Sequence, residues 1–132
     1  MVHFNFVVVL IAAVVEWLLG ALWYGVLFKK SWRAMTGLAE GDKPKNAIFG
    51  FIVSFVAGLL VAVILALIVE SAQAKVFTGG AKLGVICWSG FVAPVLFAQH
   101  IWEGRRVNLF AINAAYWLLA MAIAGGIVAA FH

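Results

Sequence analysis

Four long stretches of this chain are almost free of charge. Residues 1–28 carry one charged side chain, Glu16, and residues 46–69, 83–102 and 107–132 carry none. A bilayer core accommodates roughly 20 apolar residues per helix, and each stretch is that long. Runs of this length exceed any buried strand, and the strands of a membrane barrel would alternate polar with apolar residues. In hydrocarbon every backbone N–H and C=O must find an internal partner, which leaves the helix. Four spans are therefore expected near residues 4–28, 47–70, 80–101 and 107–131. Composition agrees: 67% of the 132 residues are hydrophobic and only 11% charged, where soluble chains run about half and about a quarter. A water-soluble fold of this size could not cover so much apolar surface. The expected fold class is all-α: an integral membrane four-helix bundle forming one transmembrane domain over residues 1–132, with a short interfacial helix between spans 1 and 2 and no room for a soluble domain.

The charges set the topology. The first apolar stretch lacks a preceding basic region and is too long for a cleavable signal peptide. The connection between spans 1 and 2 holds Lys29, Lys30, Arg33, Lys43 and Lys45, and that between spans 3 and 4 holds Arg105 and Arg106. The opposite side holds only Lys75 and Lys82. By the positive-inside rule both termini and the connection between spans 2 and 3 face away from the cytoplasm. Because the basic residues flank apolar segments, the net charge of +4 points to lipid headgroups and not to nucleic acid. Lys29, Lys30, Arg33, Arg105 and Arg106 are the expected headgroup contacts. Trp32, Met35 and Leu38 recur every three positions, so a short helix in the interface would put them into lipid, with Lys30 and Arg33 among headgroups. Gly41, Asp42, Lys43 and Pro44 read as a turn before span 2.

Glu16 is the sharpest chemical feature. It lies about 12 residues from either end of its span, or about 18 Å at 1.5 Å per residue, too deep to snorkel to water. A carboxylate at that depth costs at least ~2.5 kcal/mol and faces a bundle interior, a cavity or a partner. Asn5, Ala12, Glu16, Gly20 and Trp23 share one face of the helix. One reading makes Glu16 a proton-titrating or ligand-binding group; the other makes it a packing glutamate hydrogen-bonded to another helix. Asn113 and Tyr116 on span 4 are the natural partners for Glu16 or for the break at Pro94. With Trp23 and Trp88 they complete the candidate proton or ligand site.

Packing signals are equally plain. Gly50, Ser54, Gly58, Ala62 and Ala66 are spaced by four along span 2. Small residues let helices approach closely, either as an internal seam, the favoured reading, or in a homo-oligomer. Pro94 removes a backbone donor from span 3 and frees the Gly90 carbonyl. His100 either anchors the span end at the interface or relays protons. Asn108 is an expected N-cap; Asn113, Tyr116, Trp117, Ala120 and Ala124 share a face of span 4, and Gly125 and Gly126 permit close approach near its far end. The single Cys87 excludes an intramolecular disulfide. No grouping, His3 and His132 included, has metal-ligand spacing, and no nucleophile–base pair, phosphate loop or dinucleotide fingerprint is present. No metal, cofactor or catalytic set is expected.

Several motifs together resemble a known family. Residues 19–28 (LGALWYGVLF), followed by Lys30-Ser31-Trp32 and Thr36-Gly37-Leu38, look like the first-span signature of domain of unknown function 1761. Residues 88–94 (WSGFVAP), Glu103-Gly104-Arg105 and residues 112–116 (INAAY) extend the resemblance over nearly the whole chain. It implies a small bacterial four-span protein of the cytoplasmic (inner) membrane and assigns no activity. A looser likeness is to the small multidrug resistance exporters, four-span chains with one embedded glutamate in the first helix. Against that likeness stand the long basic connection after span 1 and the one-sided charge distribution. Two functions are thus expected to compete: a non-catalytic component that self-associates or packs as an accessory subunit, and a proton-coupled small-molecule transporter using Glu16.

Overall fold

The computed structural model describes residues 5–36 and 47–131. Span 1 (Phe6–Leu27), span 2 (Ala47–Ser71), span 3 (Phe77–Trp102) and span 4 (Val107–Ala130) are helices long and apolar enough to cross a membrane. A short helix, Lys29–Thr36, follows span 1. Consecutive spans alternate in direction, so the connections between spans 1 and 2 and between spans 3 and 4 share one side, called here the basic side. The Asn5 side chain caps span 1 by accepting the Val7 N–H at 3.0 Å. Span 3 starts three residues earlier than the charge pattern suggests, because Gln73, at φ 56°, ends span 2 in a tight turn closed by Ala74 N–H on the Val69 carbonyl. Gly104, at φ 68°, ends span 3 in the same manner, with Arg105 N–H donating to the His100 carbonyl at 2.8 Å. Span 4 begins at Val107 with Arg106 at its cap and no side-chain cap, so the N-cap expected of Asn108 does not form.

Span 4 is the hub. It packs against spans 1, 2 and 3, and 44% of its spanning stretch is buried against 11% of span 3. The tightest seam is between spans 3 and 4. A methyl group on Gly80 would strike the Gly125 carbonyl, and one on Gly84 the Met121 carbonyl. A methyl on Gly126 would meet the Phe77 ring at 2.5 Å. The glycine pair Gly80 and Gly84, a small-xxx-small spacing, thus does the work expected of Gly125 and Gly126 together with its partner helix. Spans 1, 2 and 4 share a core of small and branched residues, with Ala12, Ala62 and Ala124 fully buried among Val9, Leu65 and Met121.

The ridge expected along span 2 is internal over half its length. Gly58, Ala62 and Ala66 are buried, whereas Gly50 and Ser54 are exposed; Gly50 has nothing near it, and the Ser54 hydroxyl turns back to the Gly50 carbonyl at 2.8 Å. The reason is geometric. Positions four apart advance about 40° around a helix at 3.6 residues per turn, so a row of five winds away from any one seam.

Two widened turns interrupt the helices, at Trp23–Leu27 and at Trp88–Val92, each opening with Trp-x-Gly. In the first, Phe28 N–H reaches the Trp23 carbonyl; in the second, Ala93 N–H reaches the Trp88 carbonyl. Bonding five residues back is the signature of the π turn, often an accommodation to a local break. Pro94, which has no N–H, supplies that break in span 3.

The helix Lys29–Thr36 also departs from expectation. Trp32 and Met35 turn toward the protein and not into lipid: Trp32 stands edge-on to Tyr24 with ring centroids 5.8 Å apart, and Met35 packs against the cluster of Trp23, Ile112, Tyr116 and Ala120. Lys29 and Lys30 are exposed, Arg33 half-buried. Leu38 and the turn assigned to Gly41, Asp42, Lys43 and Pro44 lie outside the described residues, as do Lys45, His3 and His132.

Two glycine substitutions should separate seam from surface. Gly84→Ala places its methyl against backbone that cannot yield, and overpacking of this kind costs about 1–3 kcal/mol. Gly50→Ala meets nothing. Thermal unfolding in detergent should show a clear drop in Tm for the first and almost none for the second.

Candidate functional site

Glu16 sits where its helix position requires, on the inward stripe of span 1 with Ala12 and Trp23. It is 1% exposed, and neither carboxyl oxygen has a hydrogen-bond partner. What faces it is Gly58 of span 2: a Cβ built on that glycine would lie 3.1 Å from Glu16 Oε2. Gly58 is therefore the notch that admits the carboxyl. Asn5 leaves the stripe and serves only as the exposed cap.

The expected partners go elsewhere. The Tyr116 hydroxyl donates to Glu16, but to its backbone carbonyl, at 2.9 Å. Gly20 makes room for that phenol; a methyl there would stand 3.2 Å from the Tyr116 oxygen. Asn113 accepts the Tyr24 hydroxyl on Oδ1 at 2.8 Å, and its Nδ2 lies 3.3 Å from His100 Nε2. Neither side chain reaches the carboxyl or the Pro94 break. Asn113 is three residues nearer the basic side than Tyr116, about 4.5 Å along the helix, which puts it level with the lower end of span 1. His100 is 7% exposed and packed edge-on to Phe110, so it is an interior residue of the bundle.

The two tryptophans of the expected site are pinned to span 4. Trp23 Nε1–H donates to the Ile112 carbonyl at 3.0 Å and Trp88 Nε1–H to the Ala114 carbonyl at 2.9 Å. The five expected site residues thus do not gather into one cluster. Glu16 with Tyr116, near Gly58, marks mid-bundle; Asn113 joins Tyr24 and His100 toward the basic side. Trp23 and Trp88 tie spans 1 and 3 to span 4 between and beside them. Chemically, a carboxyl without hydrogen bonds can take up a proton or a cation. Among the expected headgroup residues Lys29, Lys30, Arg105 and Arg106 are exposed. Arg105 pairs with Glu103 at 2.9 Å, with both side chains about half exposed, an arrangement of little energetic weight.

Sequence reasoning passed over Tyr24 and the Gly80/Gly84 pair. The glycine spacing was available to it. Tyr24 was not: consecutive residues on a regular helix point about 100° apart, so the face through Trp23 leaves out its neighbour, yet Tyr24 is half-buried with its hydroxyl on Asn113.

A family model described as Protein of unknown function (DUF1761) matches residues 7–129. No curated protein and no solved structure matches the chain.

A buried polar group without a partner costs about 1–3 kcal/mol. Glu16→Met, of similar length and apolar, should therefore raise the unfolding midpoint in detergent, while Tyr116→Phe should lower stability by only ~0.6 kcal/mol, the usual size of an interhelical bond in lipid. A Glu16→Met protein less stable than the parent would mean that the carboxyl has a partner.

Proposed function

The chain belongs to DUF1761, a family of proteins of unknown function, and from that premise we propose that it is a non-catalytic membrane component that self-associates or packs as an accessory subunit of a larger membrane complex. The observation that carries this reading is the placement of span 3. Only 11% of its spanning stretch is buried, and it leans chiefly on span 4. Its exposed residues include Ser89, Gly90 and Gln99 along with Phe91 and Val95. Small and polar residues left outside the bundle suit another helix better than acyl chains. The exposed Gly50 and Ser54 of span 2 offer a second close-approach surface. In this reading the protein resides in a bacterial cytoplasmic membrane, its basic side inward by the positive-inside rule and both termini outside.

Dilution decides the matter. Fluorescently labelled protein should keep its energy transfer as lipid is added over a wide range of protein-to-lipid ratios, and disulfide crosslinking through Ser89→Cys in a Cys87→Ser background should trap a dimer. Transfer that falls to the random-collision level, together with no subunit co-purifying stoichiometrically from native membranes, rejects the component reading.

One observation favours a second reading, a proton-coupled small-molecule transporter: the carboxyl oxygens of Glu16 are spent on no hydrogen bond, whereas a glutamate kept for packing would use them. Glu16→Gln retains shape but cannot titrate. If it leaves assembly intact and abolishes a substrate-dependent proton flux in proteoliposomes, transport replaces the component reading. Absence of flux across broad panels of organic cations and anions removes transport.

A further inference from the structure

Three side chains that do not touch the Glu16 carboxyl form one hydrogen-bonded line near the basic side. Tyr24 O–H donates to Asn113 Oδ1 at 2.8 Å, Asn113 Nδ2 lies 3.3 Å from His100 Nε2, and His100 Nδ1 lies 2.8 Å from the Leu96 carbonyl. A carbonyl only accepts, so the imidazole proton sits on Nδ1. Nε2 is then bare and accepts from the Asn113 amide. Every donor in the line points the same way, from span 1 through span 4 to span 3. At its start, Tyr24 touches the Trp32 ring of the helix Lys29–Thr36 at 5.8 Å and the Tyr116 ring at 5.5 Å.

A proton added to Nε2 would set two donors face to face. Asn113 can answer only by turning its amide over, giving Oδ1 to the imidazolium and Nδ2–H to the Tyr24 oxygen. The Tyr24 O–H, whose acceptor among the described residues is Asn113, must then turn away from it, which frees the phenol to shift against Trp32. We propose that His100 is a proton-binding site whose occupancy reverses this line and thereby resets the helix Lys29–Thr36 against span 1.

Among the described residues, the charged and titratable groups on the surrounding elements are few. Beyond its own helix, Glu103 and Arg105 are engaged with each other. Span 4 contributes Tyr116 and, at its cap, the exposed Arg106. Span 1 contributes Tyr24, and the short helix carries exposed Lys29 and Lys30 with half-buried Arg33. Imidazole is the side chain whose charge commonly changes between about pH 5 and 8, and the proton would come from the aqueous phase at the basic side.

Two readouts on protein in lipid nanodiscs test this across that pH range. One is the ¹⁵N spectrum of the histidine rings in a His3→Gln, His132→Gln background; the other is the line shape of a nitroxide at Lys30→Cys with Cys87→Ser. Nε2 should pass from an acceptor to a protonated signal, and the nitroxide should follow with the same midpoint. His100→Gln should flatten the nitroxide response. Tyr24→Phe should preserve the nitrogen transition and lose the nitroxide response. An Nε2 signal that stays unprotonated throughout, or a nitroxide response that survives in either variant, overturns the proposal. Should His100→Gln not fold, the nitrogen transition and Tyr24→Phe decide it alone.

Discussion

In lipid, one apolar helix gains nothing by leaving acyl chains for another apolar helix, so a bundle must be held by close backbone approach and by polar contacts between spans. Span 4 supplies both here. Its far half carries Gly125 and Gly126, pressed against Gly80, Gly84 and Phe77 of span 3. Its near half offers the carbonyls of Ile112 and Ala114 to the indoles of Trp23 and Trp88, and sends the Tyr116 hydroxyl to the Glu16 backbone. Each such bond is worth only ~0.6 kcal/mol. Together with dispersion over a glycine seam, they make span 4 the common partner of the other three.

The existence of four spans was legible because charge is so costly in hydrocarbon that its absence over residues 46–69, 83–102 and 107–132 admits one explanation. Which face of each helix turns inward was much less so. In water the apolar stripe marks the buried side; here the stripe runs all the way round, and the signal must come from small or polar residues. That signal worked for span 1, where Ala12, Glu16 and Trp23 are inside. For span 2 it held at Gly58, Ala62 and Ala66 alone, because a row of residues spaced by four winds around its helix, and Gly50 and Ser54 end outside. It also sent Trp32 and Met35 to lipid, since an amphipathic pattern cannot say whether its apolar side meets acyl chains or a neighbouring span. The partners of Asn113 and Tyr116 depended on relative depth, which no single chain pattern fixes to better than a helical turn.

Glu16 and His100 illustrate two ways of burying a titratable group. His100 is fully engaged: one ring nitrogen on a carbonyl, the other on an amide, an aromatic ring alongside. Glu16 has a carboxyl lodged in the space left by Gly58, and neither of its oxygens makes a hydrogen bond. The first kind of group is held by its neighbours and can alter them when its protonation changes. The second is tolerated by its neighbours, and removing it relieves them. A bundle that keeps the second kind carries a local weakness at mid-membrane, between spans 1 and 2.

The position of the hub in the chain has a consequence for biogenesis. Spans enter the bilayer in the order of synthesis, and the helix that gathers the others is the last of the four to be made. Spans 1, 2 and 3 must therefore wait side by side in lipid, with the indoles of Trp23 and Trp88 and the seam face of Gly80 and Gly84 not yet matched. Insertion and consolidation become separate events, the second beginning only when Ile112 to Gly126 has left the ribosome and crossed the membrane.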